Sequence, residues 1–577
     1  MTEKLQVMDL FAGAGGLSNG FEQTEKFEVK VAVEINPNAR ITYEKNHYKV
    51  NKKVKMLEDI TLINYKELIE EIGKIDVIIG GPPCQGFSNA NRQKNTLISS
   101  NNHLVKEYLR AIEEIKPKAF VLENVRNIIS DKHKFFLNTK DEKDLVELNI
   151  EPIDEHIKIG TLTRYSDILK AFLTDAYEKE ADLKPYLMNI DELSKFNSLL
   201  RCVKKQSDKE ITNFFSKEKN KKFFHKLLND KWDEIHKKYW DDSYKQSWSF
   251  LGELLKKILM NNEFNVQDLA ILLENIIETQ KIINKISELI HFKIKLIDIS
   301  VINNDVQVHI KSFNVFKYIR AKLINLGYKL NKEEEQIFNT AQYGVPQERR
   351  RLILIGVKND LIDGDTVKIP DPIFNNRDEF NKIKHAISDL EHLPPTTDVN
   401  DDEMYCGEIG PIDNNYLIKY LRNNQNNIVY NHVRTESREM AQKRFKALTV
   451  GQNFHDLDDS LKSTYSDHSR TQNTIYKRLD YEKPSDTVVN VRKSMWIHPK
   501  IDRAISIREA ARLQSFQDSY RFFGHKDSQY QQVGNAVPPL MARFVAESLL
   551  ESLGIEVDEK IRDIILNQNE VSPTMIV

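Results

Sequence analysis

Cys84 follows Gly80-Gly81-Pro82-Pro83 and precedes Gln85, a stiff turn that would hold a thiol at the end of a strand. Glu123 opens Glu123-Asn124-Val125, at the end of another apolar run. A thiol and a carboxylic acid brought to one place can serve as nucleophile and proton donor. Each alone has a plainer use, as a small buried hydrophobe or a strand-end surface acid. A third group lies in Gln347-Glu348-Arg349-Arg350-Arg351, where Gln347, Arg349 and Arg351 would share one face of a strand because strand side chains alternate. Two arginines on one side need carboxylates, phosphates or a base to meet; an exposed ion pair is the plainer alternative.

Near the start, Asp9-Leu10-Phe11-Ala12-Gly13-Ala14-Gly15-Gly16 forms a turn where backbone can approach a ligand closely. Its spacing departs from G-x-G-x-x-G, and no cradle for a pyrophosphate follows, which favours a nucleoside without phosphates. Phe11 would stack on an adenine, Glu34 would hold ribose hydroxyls about 20 residues on, and Asp59 would accept from the adenine amino group. A tight turn without a ligand and a dinucleotide site are the competing readings of such glycines.

These residues need a scaffold that carries them to one edge. The expected strands are Leu5–Leu10, Val29–Val33, Val54–Leu57, Ile75–Ile79 and Ala119–Leu122, with helices between them, including one from about Leu104 to Ile115. That alternation is the pattern of a doubly wound α/β sheet. In an open parallel sheet all strand C-termini lie along one rim, where ligands bind. The rim would then hold the glycine turn, Glu34, Asp59, the thiol and Glu123.

After Asn127 the texture changes. No proline occurs between Pro185 and Pro346, and Ser247–Leu259 and Leu269–Leu289 carry apolar residues at helical spacing, as in a mostly helical insertion. Basic and aromatic residues alternate at Lys231, Trp232, Lys237, Lys238, Tyr239 and Trp240; a solvated face of a bundle is favoured over a nucleic-acid contact. The α/β pattern resumes at Val315–Leu330 and reaches a strand at Arg349–Ile355. Residues 358–500 are irregular and rich in Asn, Asp and Pro; helices return at Ile507–Ser515 and Met541–Leu553.

The 577 residues are 40% hydrophobic and 29% charged, ordinary for a folded soluble chain. No apolar run reaches bilayer length and no signal segment opens the chain. The three cysteines Cys84, Cys202 and Cys406 are too scattered for a disulfide framework or a zinc site, which points to a cytoplasmic protein without a metal. With a net charge of −2, nucleic-acid binding would require segregated charge. Residues 431–500 supply basic groups, among them Arg434, Arg438, Arg444, Arg470, Arg478 and Arg492, while Asp401, Asp402 and Glu403 fall outside that stretch.

The ordered segments DLFAGAGGLSNGF (9–21), Glu34, Asp59-Ile60, GGPPCQGFS (80–88), NHLVKEYLRAI (102–112), ENV (123–125), AQYGVPQERRR (341–351), REAARLQSFQD (508–518) and QVGNAVPPLMA (532–542) resemble those of bacterial DNA cytosine-5 methyltransferases of restriction–modification type. The resemblance covers roughly 1–136, 313–356 and 484–553, and Gln517 stands where the family usually has proline. It implies a Rossmann-like fold dependent on S-adenosylmethionine, contacted by Phe11, Gly13, Gly15, Glu34, Asp59, Ile60, Leu104 and Asn535. Cys84 would be the nucleophile, Glu123 the residue at the ring nitrogen, and Arg349 and Arg351 would position the cytosine, with Asn89–Asn101 as a closing loop. The implied layout is a catalytic domain at 1–136 and 313–357, an insertion at 137–312, a target-recognition domain at 358–525 and a returning segment at 526–577. Double-stranded DNA, a monomeric state and a companion restriction endonuclease are also implied. Two alternatives stand beside it: a tRNA cytosine-5 methyltransferase, whose Cys-Phe-Thr signature is not found here, and a non-catalytic DNA-binding protein on the same fold. A nicotinamide oxidoreductase would need a pyrophosphate loop.

Overall fold

The protein is described from a computed structural model covering residues 3–47, 54–83, 102–234, 238–260, 262–362, 364, 367–400, 403–405, 415–423, 427–465 and 471–570. The described residues of 1–84, 103–128 and 323–577 form one compact unit, and those of 85–102 and 129–322 a second.

In the first unit, β1 (Leu5–Leu10), β2 (Phe27–Val33), β3 (Lys55–Leu57), β4 (Val77–Gly80) and β5 (Ala119–Val125) run parallel in the order β5-β4-β1-β2-β3. Val7, Met8, Leu10, Val77, Ile78, Ile79 and Phe120 to Leu122 are buried, the near-continuous apolar runs that a sheet covered on both faces requires. The connecting helices are α1 (Gly16–Glu22), α2 (Pro37–His47), α3 (Tyr65–Ile72) and α4 (Asn102–Ile115). Val105, Tyr108, Leu109, Ala111 and Ile112 make one buried stripe on α4. At about 1.5–3 kcal/mol for each large apolar side chain, burial rather than helix propensity holds α4 in place. The Tyr108 hydroxyl donates to the Val121 carbonyl at 2.8 Å, tying α4 to β5.

The second unit holds β6 (Lys134–Phe136), β7 (Ile153–Thr161), β8 (Leu296–Ile302) and β9 (Asp305–Asn314). The helices expected from apolar spacing form, including Asp242–Leu259 and Val266–His291. They come with an antiparallel sheet that the sequence reading did not include, in which β9 pairs β6, β7 and β8. Its signal is the period-two burial of Val306, Val308 and Ile310 on β9. Because β6 begins at Lys134 and β9 runs to Asn314, the expected edges at 137 and 312 cut through this sheet. The helix Val266–His291 serves two cores, with Leu273 and Ile276 packed among Phe196, Trp248 and Leu251, and Ile282 and Ile286 packed among Leu173, Val306 and Val308.

Back in the first unit, β10 (Tyr328–Leu330), β11 (Ile337–Asn339) and β12 (Arg350–Lys358) complete the large sheet. β12 lies antiparallel to β5, setting Arg351 opposite Val125 and Ile353 opposite Glu123. Residues 358–525 are not set apart from the rest of the first unit, so the expected limits at 358 and 525 coincide with no division between the two units. Among the described residues no helix is long and apolar enough to cross a membrane.

Candidate active site

Five parallel strands end along one rim, and the sequence-predicted residues follow them. After β1 the backbone enters left-handed conformations at Phe11 (φ 58°), Gly13 (φ 55°) and Gly15 (φ 85°). A Cβ on Gly13 would meet open space, so ligand atoms can approach its backbone. Gly15 and Gly16 have no such room: a side chain would collide with His47 and Tyr520 at the first, and with the Val537 carbonyl at the second. The segment Val533–Pro539 is thereby packed onto the glycine turn, with Asn535 exposed beside it and accepting a hydrogen bond from Gln531 Nε2 at 2.7 Å.

Glu34, just past β2, accepts from the Gly13 N–H (2.9 Å) and the Asn36 N–H (2.7 Å). Burial raises its carboxyl pKa above the usual range, against the pull of those two N–H groups. Asp59, past β3, is half-buried; its Oδ1 accepts from the Thr61 N–H and hydroxyl at 2.9 and 2.8 Å, bonds that lower its pKa. Its Oδ2 has no partner among the described residues. Asp59 lines a cavity of about 680 Å³ with Ile35, Leu57 and Leu62, where Ile35 and Leu62 expose apolar side chains. Ile60 is buried, and its carbonyl accepts from Arg110 of α4 at 3.0 Å, which brings the half-buried Leu104 in the first turn of α4 to the same end of the sheet.

At the end of β5, Glu123 Oε1 lies 3.1 Å from Arg351 Nε, both side chains largely shielded. A Cβ on Gly81 would sit 2.9 Å from Glu123 Oε2, so a side chain there would push this carboxylate aside. Asn124 Nδ2 donates to the Pro82 carbonyl at 3.1 Å, clamping the same turn to β5. The turn leads into Cys84, which lies outside the described residues, as does Asn89–Asn101. Arg349 and Arg351 do not act as one face. Arg349 precedes β12, is buried, and donates to the carbonyls of Val488 (3.0 Å) and Gly534 (3.2 Å), holding the C-terminal segment, while Arg351 alone reaches the acid.

The geometry is therefore a left-handed glycine turn with Glu34 and Asp59 at one end of the rim and a braced carboxylate beside a glycine-proline turn at the other. The family model for C-5 cytosine-specific DNA methylase matches residues 5–146 and 303–551. The chain belongs to this family. It is 23% identical over 552 residues to the Type II methyltransferase M1.HphI of Haemophilus parahaemolyticus, covering 95% of this chain and 87% of that protein. It is 24% identical over 565 residues to M.DdeI of Desulfomicrobium norvegicum, covering 94% and 88%. A crystal structure of a DNA modification methyltransferase encoded within an E. coli prophage aligns over 96% of this chain and 100% of its own, with a TM-score of 0.49 and 20% identity. The C-5 cytosine DNA methylase is thus a DNA cytosine-5 methyltransferase of α/β fold, and methyltransferases generally use S-adenosylmethionine.

The structure corrects the sequence reading of the basic stretch. Arg478 is buried, donating to the carbonyls of Leu448, His498 and Phe445 and to Asp502, and Arg444 is buried against the rings of Tyr465 and Tyr476. Arg492 pairs with Asp527 at 3.0 Å. Arg470 lies outside the described residues, while Arg438 and Arg492 are exposed and Arg434 is half-buried. Among the described residues no group of three or more His, Cys, Asp or Glu side chains could hold a metal.

Sequence reasoning missed the layer beneath the rim. Asp9 is buried on β1 and accepts from the Tyr43 hydroxyl at 3.1 Å; burial raises its pKa to about 7, opposed by Ser18, His47 and Tyr43. An acid inside an otherwise apolar strand was a usable signal. A cavity of about 800 Å³ in the second unit, at Asn197, Lys204, Asn275 and Lys281, has its lysines already paired with Glu274 and Glu278.

Proposed function

We propose that this methyltransferase modifies carbon 5 of a cytosine within a specific duplex DNA sequence through a transient covalent bond to Cys84. The observation that carries the reading is the bracing of Glu123 by Arg351 directly beside the Gly81-Pro82 turn that leads to Cys84.

Carbon 5 of cytosine is a weak nucleophile within an aromatic ring. Addition of the Cys84 thiolate to carbon 6 breaks the aromaticity and makes carbon 5 enamine-like. Glu123 delivers a proton to ring nitrogen 3 as the density develops, and Arg351 keeps that carboxyl aimed while favouring the thiolate. S-adenosylmethionine, when bound, supplies an electrophilic methyl group. After methylation a base takes the proton from carbon 5, the sulfur–carbon 6 bond breaks, the thiolate is released and ring nitrogen 3 returns its proton to Glu123. A stacked base is out of reach, so the cytosine is flipped out at a cost of a few kcal/mol.

The donor fits the rim. Phe11, Gly13 and Gly15 would form its floor, Glu34 would hold ribose hydroxyls, and Asp59 Oδ2 offers an acceptor beside the apolar Ile35 and Leu62. Ile60, Leu104 and Asn535 would complete the pocket. Residues 1–136 and 313–357 are read as the catalytic part, 358–525 as the target-recognition part and 526–577 as the returning segment. We assign the protein, as a cytoplasmic monomer, to the protection of host DNA against a companion restriction endonuclease.

Cys84→Ala is expected to abolish methylation while leaving DNA binding largely intact; methylation at the parental rate would end the nucleophile assignment. A target with 5-fluorocytosine should give a protein–DNA adduct that survives denaturant. Bisulfite sequencing of plasmid from an expressing host would give the target sequence, and methyl transfer to tRNA in preference to DNA would overturn the substrate reading.

A further inference from the structure

A chain of polar groups beneath the glycine turn takes no part in the chemistry above. His47, the last residue of α2, is buried, with Nδ1 2.6 Å from Glu22 Oε2 and Nε2 3.2 Å from the Tyr520 hydroxyl. Tyr520, also buried, donates its hydroxyl proton to the Ala14 carbonyl within the turn. Proton counting fixes the direction of this chain. A carbonyl only accepts and a phenol has one proton, so Tyr520 must accept from the His47 Nε2–H. Glu22 meets the ring from its other side at Nδ1. Tyr43 stacks on the imidazole at 4.1 Å and directs its own hydroxyl to Asp9.

The turn needs such support. Phe11, Gly13 and Gly15 hold positive φ, a conformation that costs a non-glycine residue such as Phe11 on the order of 1–2 kcal/mol and persists only where the surroundings enforce it. Gly15 leaves no room for a Cβ because His47 and Tyr520 occupy that space. One contact therefore enforces the turn from a segment some 500 residues away in sequence, at Ala14 and Tyr520.

We propose that His47 and Tyr520 are positioning residues for the methyl donor. They hold the Ala14 carbonyl, and through it the left-handed turn Phe11–Gly15, in the shape that receives the nucleoside. The inference rests on the reading of that turn as the donor site. Donor affinity, rather than the methyl-transfer step or DNA binding, depends on the brace.

The test measures S-adenosylhomocysteine binding by titration calorimetry on the full chain, alongside steady-state kinetics, for Tyr520→Phe, His47→Phe, His47→Gln and Phe11→Ala. Tyr520→Phe and His47→Phe are expected to raise the dissociation constant and the KM for S-adenosylmethionine about tenfold, the scale of one buried hydrogen bond. The kcat at saturating donor and the KM for DNA should stay within about twofold. His47→Gln, which can still donate to Tyr520, should recover part of the affinity. Unchanged affinity in a Tyr520→Phe protein while Phe11→Ala weakens binding would overturn the brace alone; unchanged affinity in Phe11→Ala would overturn the donor site itself. A joint fall in melting temperature, kcat and DNA affinity would reduce the pair to a merely structural role and also overturn the proposal.

Discussion

Arginine meets carboxylate in two regions of the first unit, around the helix Ile507–Leu513 and at the end of β5. In the helix, Arg512 is fully buried and bonded on all three nitrogens: it holds both oxygens of Asp518 (2.8 and 2.6 Å), Asp389 (2.5 Å) and the Ala386 carbonyl. Arg508 donates to the carbonyls of Tyr430, Gln517 and Tyr520, and Arg503 grips Glu509, whose pKa is driven well down by that guanidinium against its burial. At the rim, Arg351 meets Glu123 through one contact, and both keep some exposure. A fully buried pair is closed to a substrate, so the first region can only hold shape. The second keeps a carboxylate oriented and partly uncovered.

Four experiments would break or sharpen that contrast. The largest effect is expected from Glu123→Gln, which should lower kcat by about 10²–10⁴-fold, the usual worth of a proton donor, while urea midpoints stay near the parent's. Arg512→Met should do the reverse, costing about 3–5 kcal/mol of stability because Asp389 and Asp518 lose a buried partner. Equal stability in the two variants, measured by denaturant unfolding, would erase the distinction. Acidification should act on the same buried region. His432 and His498 lie near Glu509, and burial pushes both pKa values down to about 4. With folded pKa values below the free 6.5, their contribution is fully present above pH 6.5 and lost as pH falls toward 4. It is worth on the order of 3 kcal/mol for each histidine. Calorimetric melting temperatures should therefore drop over that window, less steeply in His498→Gln. The smallest effect belongs to Lys222→Ala, which removes an exposed pair with Glu218 and should shift stability by less than about 0.5 kcal/mol.

Much of this was legible beforehand. The strand Leu5–Leu10 was readable from its apolar run and the turn after it from its glycines, and Gly80-Gly81-Pro82-Pro83 marked a strand end. The REAAR segment was readable as a motif but not as a scaffold. Nothing in its letters says that Arg508 and Arg512 are buried and bonded internally, or that Gln517 contributes through its carbonyl. Likewise Arg444 and Arg478 looked like candidates to meet DNA, since charge can be read from sequence and burial cannot.

What the sequence determined by itself is local: period-two and helical apolar spacing, glycines where φ turns positive, and the order of the family's segments. Which residues meet was decided by the tertiary structure. Glu123 finds Arg351 because β12 lies antiparallel against β5, and Ala14 finds Tyr520 because the C-terminal segment returns to the first turn. Such pairings lie hundreds of residues apart, and only the shared burial of the intervening chain brings their short-range forces into reach.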